Sequence, residues 1–104
     1  MRYLSIFIPV VEGGYTVVIP DFPEIVTEGS TLNEAMDMAE DVLAETIDDY
    51  TKEGRALPMQ SSLETVTLAA QKEMQGRGVD STRPPLIQLV TVLSHAPQKE
   101  LASA

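Results

Sequence analysis

The stretch from Thr31 to Glu53 contains neither proline nor glycine, and it constrains the fold of this chain more than any other feature. Thr31-Leu32-Asn33-Glu34 has the form of a capping box, in which the Thr31 hydroxyl accepts from an orphan amide and Glu34 reaches back towards the cap. A long helix therefore starts at Thr31, and Gly54 followed by Pro58 supplies its C-terminal punctuation. At about 100° per residue, Leu32, Met36, Ala39, Leu43, Thr46, Ile47 and Tyr50 form one stripe. Glu34, Asp37, Asp41, Glu45 and Asp48 fall on the opposite side, giving one packing face and one carboxylate ridge.

What precedes the helix is β-rich. In Arg2 to Val10, Leu4, Ile6, Ile8 and Val10 alternate onto one face of a strand. Glu12-Gly13-Gly14 provides residues that tolerate positive φ, and Tyr15 to Ile19 resumes the apolar run, so the pair reads as a hairpin. Pro20-Asp21-Phe22-Pro23 stiffens a corner before a short third strand at about Ile25 to Glu28, closed by Gly29. After the long helix, Ser61-Ser62-Leu63-Glu64 is a second capping-box candidate. Leu63, Val66, Ala70 and Met74 at helical spacing imply a shorter helix ending at Gly76. Gly76 to Pro85 is a loop, and Leu86 to Leu93 is a further strand. The expected architecture is α+β, β-β-β-α-(α)-β, with a small antiparallel sheet and the long helix on one face. Residues 1–93 form one domain in this reading, with a short polar tail over 94–104.

Charge narrows the function classes. Among 104 residues, 16 acidic against 7 basic side chains give a net charge of -9. That balance repels phosphate backbones and favours a cationic protein surface as partner, so direct nucleic-acid binding is disfavoured. The chain has no cysteine and one histidine, His95. A thiol nucleophile, a thiolate metal site and a histidine base with a supporting partner therefore lack candidates, and we expect no enzyme activity, metal or cofactor. No apolar run reaches the ~20 residues of a membrane span and no basic leader precedes an apolar segment, which places the chain in the cytoplasm. A small core without disulfides makes self-association into dimers or tetramers the expected further source of stability.

Two groups of residues invite a functional reading. The ridge of Glu34, Asp37, Asp41, Glu45 and Asp48 is either a solvated face or a docking ridge, and its divergence along a helix argues against joint metal binding. Asp21 either accepts from nearby backbone amides in an Asx-type turn or, with Phe22, is presented at the stiff corner to a partner.

The order hairpin, Val18-Ile19-Pro20-Asp21-Phe22-Pro23, Thr27-Glu28-Gly29 and Thr31-Leu32-Asn33-Glu34-Ala35, opening a long acidic helix, resembles the N-terminal domain of HicB antitoxins. The resemblance covers residues 1 to 60, and 86 to 93 by strand position alone. It implies a partial ribonuclease H-like fold without nuclease activity, which binds a small basic HicA-type ribonuclease toxin and masks its active site. A HicB-like scaffold serving another protein or a small ligand, and a degenerate ribonuclease H-type enzyme, are the alternatives. Glu24 stands where the family usually has glycine, and segment 61 to 83 is longer than usual. Residues Ser94 to Ala104 are too few for the DNA-binding module that many members carry, so operator binding is not expected of this segment.

Overall fold

Residues 1–93 are described by the computed structural model, and the tail expected over 94–104 lies outside them. The elements are β1 (Arg2–Pro9), β2 (Tyr15–Val18), β3 (Val26–Gly29), α1 (Leu32–Lys52), α2 (Leu63–Glu73) and β4 (Leu86–Thr91). All strand pairs are antiparallel, in the order β3-β2-β1-β4, so the first strand is central and the last lies beside it. The α+β architecture with a four-stranded antiparallel sheet is as the sequence implies.

The register follows from the hairpin. Gly13 and Gly14 hold φ of 98° and 78°, which closes β1 onto β2 and pairs Pro9 with Tyr15 and Ile6 with Val18. Gly29 is required for a different reason. A Cβ there would overlap the backbone of Ala35 and Glu34, so the end of β3 touches the first turn of α1 closely enough that only glycine fits.

Helix α1 begins as the capping box requires, with Glu34 N–H donating to Thr31 Oγ1 at 3.1 Å. The return bond differs by one residue, since Glu34 Oε1 accepts from the amide of Ser30, not of Thr31, at 3.1 Å. The buried stripe is Ala35, Ala39, Leu43, Ile47 and Tyr50. Leu32 is exposed and Met36 and Thr46 are only partly buried, a displacement from the expected stripe. Two small alanines at the start of the stripe let α1 approach the sheet at Gly29, and the bulkier Leu32 and Met36 turn to its flanks.

Central β1 is buried on both sides, which explains its near-continuous apolar run better than simple alternation does. Tyr3 and Phe7 pack under α1 with Val17, Phe22 and Val90. Ile6 and Ile8 pack under α2 with Val66 and Ala70. The sheet thus has a helix on each face. Ser62, not Ser61, caps α2, accepting from Thr65 N–H at 3.2 Å. Leu63, read from the sequence as inward, is 59% exposed.

Candidate functional site

The Pro20 to Glu24 corner is an internal joint. Asp21 does not form the local Asx-type turn. Its carboxylate accepts from the amide of Ser61 at 3.0 Å and from the Ser61 hydroxyl in a very short bond, across a sequence separation of 40. This ties the corner to the residue before the α2 cap. Phe22 is fully buried, with its ring edge-to-face with Tyr3 and with Tyr50. It therefore has no surface to offer a partner, and its expected presentation is corrected by this packing. Two prolines and an acid around an aromatic suggest an exposed corner locally, but the rings that enclose Phe22 come from β1 and from the last turn of α1.

Glu24, the family departure, has a role the sequence did not reveal. Tyr50 Oη donates to Glu24 Oε2 at 2.8 Å, and the Arg55 guanidinium lies 3.8 Å from the Tyr50 ring centroid. A backbone hydrogen bond, then the Tyr50 hydroxyl, hold the Glu24 carboxyl below its ordinary range, and the same bond to Glu24 raises the Tyr50 phenol. Tyr3 Oη donates to Pro58 O at 2.7 Å, so both tyrosines flanking Phe22 are fixed at their polar ends.

The acidic ridge is where the helical periodicity puts it. Asp37, Asp41 and Glu45 are exposed on the side of α1 opposite its buried stripe. Glu34 shares that side while capping the helix. Asp48 is half-buried and pairs with Lys52 at 2.9 Å one turn on, which raises the lysine. At the N-terminal end the negative surface continues into a cleft of about 530 Å³ at the hairpin tip, lined by Glu12, Glu28, Glu34, Tyr15 and Arg77. Glu12 and Glu28 join Glu34 only through the hairpin and the β2–β3 pairing, which no local pattern in the sequence reveals.

Arg83 was likewise missed. Its Nε donates to Asp80 Oδ2 at 2.9 Å and its Nη2 to Val10 O at 2.9 Å, fastening the loop before β4 to the hairpin. Among the described residues no group of three or more His, Cys, Asp or Glu side chains is arranged to hold a metal ion. No helix among them is long and apolar enough to cross a membrane.

Residues 7–71, from the middle of β1 into α2, match the model of the HicB_like antitoxin of bacterial toxin-antitoxin systems. The chain belongs to this HicB-like antitoxin family. It is 41% identical over 63 residues to Antitoxin HicB of Escherichia coli (strain K12), covering 61% of this chain and 46% of that protein. It is 32% identical over 103 residues to Antitoxin HicB 2 of Photorhabdus laumondii, covering 82% of this chain and 74% of that protein. The chain thus spans under half the length of the Escherichia coli relative. In fold it is similar to a chain of a toxin-antitoxin complex from Streptococcus pneumoniae, with a TM-score of 0.74 and 22% identity. That superposition covers 89% of this chain and 69% of the other, and so extends beyond the family match. The family match spans both ends of the Gly29–Ala35 contact and the Thr31 cap, the two devices that seat α1 on the sheet.

Proposed function

We propose that this domain binds a small basic HicA-type ribonuclease toxin and silences it by occlusion, without catalytic activity of its own. Its setting is the cytoplasm, with residues 1–93 acting as one unit and with self-association into dimers or tetramers. The observation that carries the toxin reading is the exposed carboxylate row Asp37, Asp41 and Glu45, in a family-matched chain of net charge -9. The row does not serve the core, because Ala35, Ala39, Leu43, Ile47 and Tyr50 occupy the other side of the helix. Such a field accelerates encounter with a cationic protein, and apolar contacts then set the lifetime of the complex.

Asp21 and Phe22 enter this proposal only indirectly, by holding the corner. Glu34 and Asp48 contribute charge while also serving the helix. The test is stopped-flow mixing with a small basic HicA-type toxin, to be sought in the gene adjacent to this chain's own. Reversing Asp37, Asp41 and Glu45 to lysine should slow association several-fold without changing the circular dichroism spectrum. An association rate indifferent to the triple reversal sinks the steering role, and a wild-type domain that leaves the toxin active sinks the inhibitory reading.

A further inference from the structure

We propose that the outer edge of β4, with the Leu63, Thr67 and Gln71 flank of α2 beside it, pairs with the same surface of a second copy of this chain. This rests on the self-association proposed above and names the surface that performs it. Among the described residues nothing pairs with that side of β4, which ends the sheet order β3-β2-β1-β4. Exposed edges normally carry charges or prolines that discourage pairing. From Leu86 to Leu93 this one carries neither, and Leu89 is 45% exposed.

The backbone pattern is self-complementary. Met1 and Val92 exchange hydrogen bonds, Met1 N to Val92 O at 2.8 Å and Val92 N to Met1 O at 2.7 Å. In an antiparallel ladder bonded and non-bonded pairs alternate, so Val90 and Gln88 also point their amides at β1. The amides and carbonyls of Ile87, Leu89 and Thr91 therefore face outwards. A two-fold axis through Leu89 pairs it with its own copy and Ile87 with Thr91 of the second copy, satisfying all three at once. The Ile87–Thr91 pairing also matches two β-branched side chains, which suit cross-strand neighbours.

A short strand pair alone falls below the ~800 Å² per partner of a standard interface, so the edge needs a second element. An axis perpendicular to the sheet keeps corresponding faces together, and α2 lies on the Leu89 side. Ala69 and Glu73 line the groove with Val18 and Val26, on the β2 and β3 side of α2. By helical periodicity Leu63, Thr67 and Gln71 then form the flank turned towards β4; none of the three is charged, and Glu64 lies at its outer margin. The two flanks would meet across the junction, burying Leu63. The self-complementary backbone pattern and the uncharged edge select a second copy as the occupant. A two-fold contact brings only the residues on its axis beside their own copies, and Leu89, which lies there, is uncharged, so two copies meet without like-charge repulsion at the axis. The acidic helix α1 crosses the other face, chiefly over β3.

The test combines mass and register. Sedimentation velocity at tens of micromolar should show a wild-type oligomer. Leu89→Lys should raise its dissociation constant on the order of 100-fold, since like charges would meet at the axis. Met38→Lys, exposed on α1 across the sheet, is the control and should leave it unchanged. The chain lacks cysteine, so Leu89→Cys adds a single thiol. A short bismaleimide should join two copies through Cys at 89, and far less through a single Cys introduced by Thr91→Cys. A wild-type monomer overturns self-association itself. An oligomer that survives Leu89→Lys, or that links equally well from both cysteine variants, overturns this surface alone.

Discussion

Replacing Phe22 by leucine asks whether the corner residue serves the interior or the surface. The ring centroid lies 4.8 Å from that of Tyr3 with planes at 80°, and 5.3 Å from that of Tyr50 with planes at 68°. Edge-to-face pairs contribute about 0.5–1.5 kcal/mol each beyond the area they bury. Leucine keeps most of the apolar area but loses both pairs, a loss of roughly 1–3 kcal/mol before any cavity is counted. The cavity adds to this, because Tyr3 and Tyr50 are tethered to Pro58 and Glu24 and cannot close freely on the smaller side chain.

In a domain of this size about 1 kcal/mol moves the melting temperature by about 4–8 °C, so a central loss of ~2 kcal/mol lowers it by roughly 8–16 °C. Thermal and urea denaturation followed by circular dichroism, at one fixed protein concentration, should show the drop with an unchanged urea slope. Alanine, at about 3–5 kcal/mol, would consume most of the marginal stability of a small domain and is the poorer probe. A leucine variant that melts within ~2 °C of wild type refutes the account of the corner as an aromatic joint.

Leu43→Ala, at the centre of the buried α1 stripe, should cost ~2–5 kcal/mol in urea denaturation; an unchanged midpoint would mean that the helix does not seat on the sheet through this side. Gly29→Ala forces a Cβ against the Ala35 backbone and should cost about 1–3 kcal/mol in the same assay, whereas a neutral outcome would show that β3 and α1 separate easily. The Asp80 carboxyl is held below its ordinary range by the Thr82 hydroxyl, then the Thr82 amide and Arg83. Its stabilisation is therefore present above about pH 4 and is lost as pH falls through the depressed folded value. Asp80→Asn should lower the melting temperature at pH 7 and flatten its decline on acidification; an equally steep acid limb in the variant would count against that role.

What could be read from the sequence was what is encoded locally. The capping box, the Gly13-Gly14 turn and the 3.6-residue period of α1 each depend on neighbours within a few positions, and the ridge of Asp37, Asp41 and Glu45 follows from that period alone. The joints between elements were not legible. Asp21 meets Ser61 and Arg83 meets Val10 across long separations, and no local pattern distinguishes such a carboxylate or guanidinium from a solvated one. Phe22 was misplaced for the same reason, since its enclosure depends on Tyr3 and Tyr50 arriving from distant elements. The alternation of Leu4, Ile6 and Ile8 did mark a buried face, but the burial of Tyr3 and Phe7 behind it required knowing that β1 is central. Leu63 shows the converse: helical spacing with Val66 and Ala70 puts it near the apolar side of α2, yet it is exposed.

The two proposed contacts lie on different faces of the sheet, which gives them different responses to salt. The carboxylates of α1 act at a distance, so their effect on encounter with a basic toxin falls as the Debye length shrinks from ~10 Å at 0.1 M to ~3 Å at 1 M. The β4 edge has no charge to screen, and the long-range term between two copies is repulsion between chains of net charge -9. Screening that repulsion favours the oligomer, and apolar contact at Leu89 and between the α2 flanks is strengthened further by an excluded salt such as sulfate. Raising ionic strength should therefore slow toxin association while leaving the oligomer intact or tightening it. Sedimentation velocity and stopped-flow mixing across one salt series read both quantities on the same protein. If the oligomer dissociated in parallel with the slowing of toxin association, opposite charges would have to meet at the junction, and the uncharged edge of β4 could not be what holds it.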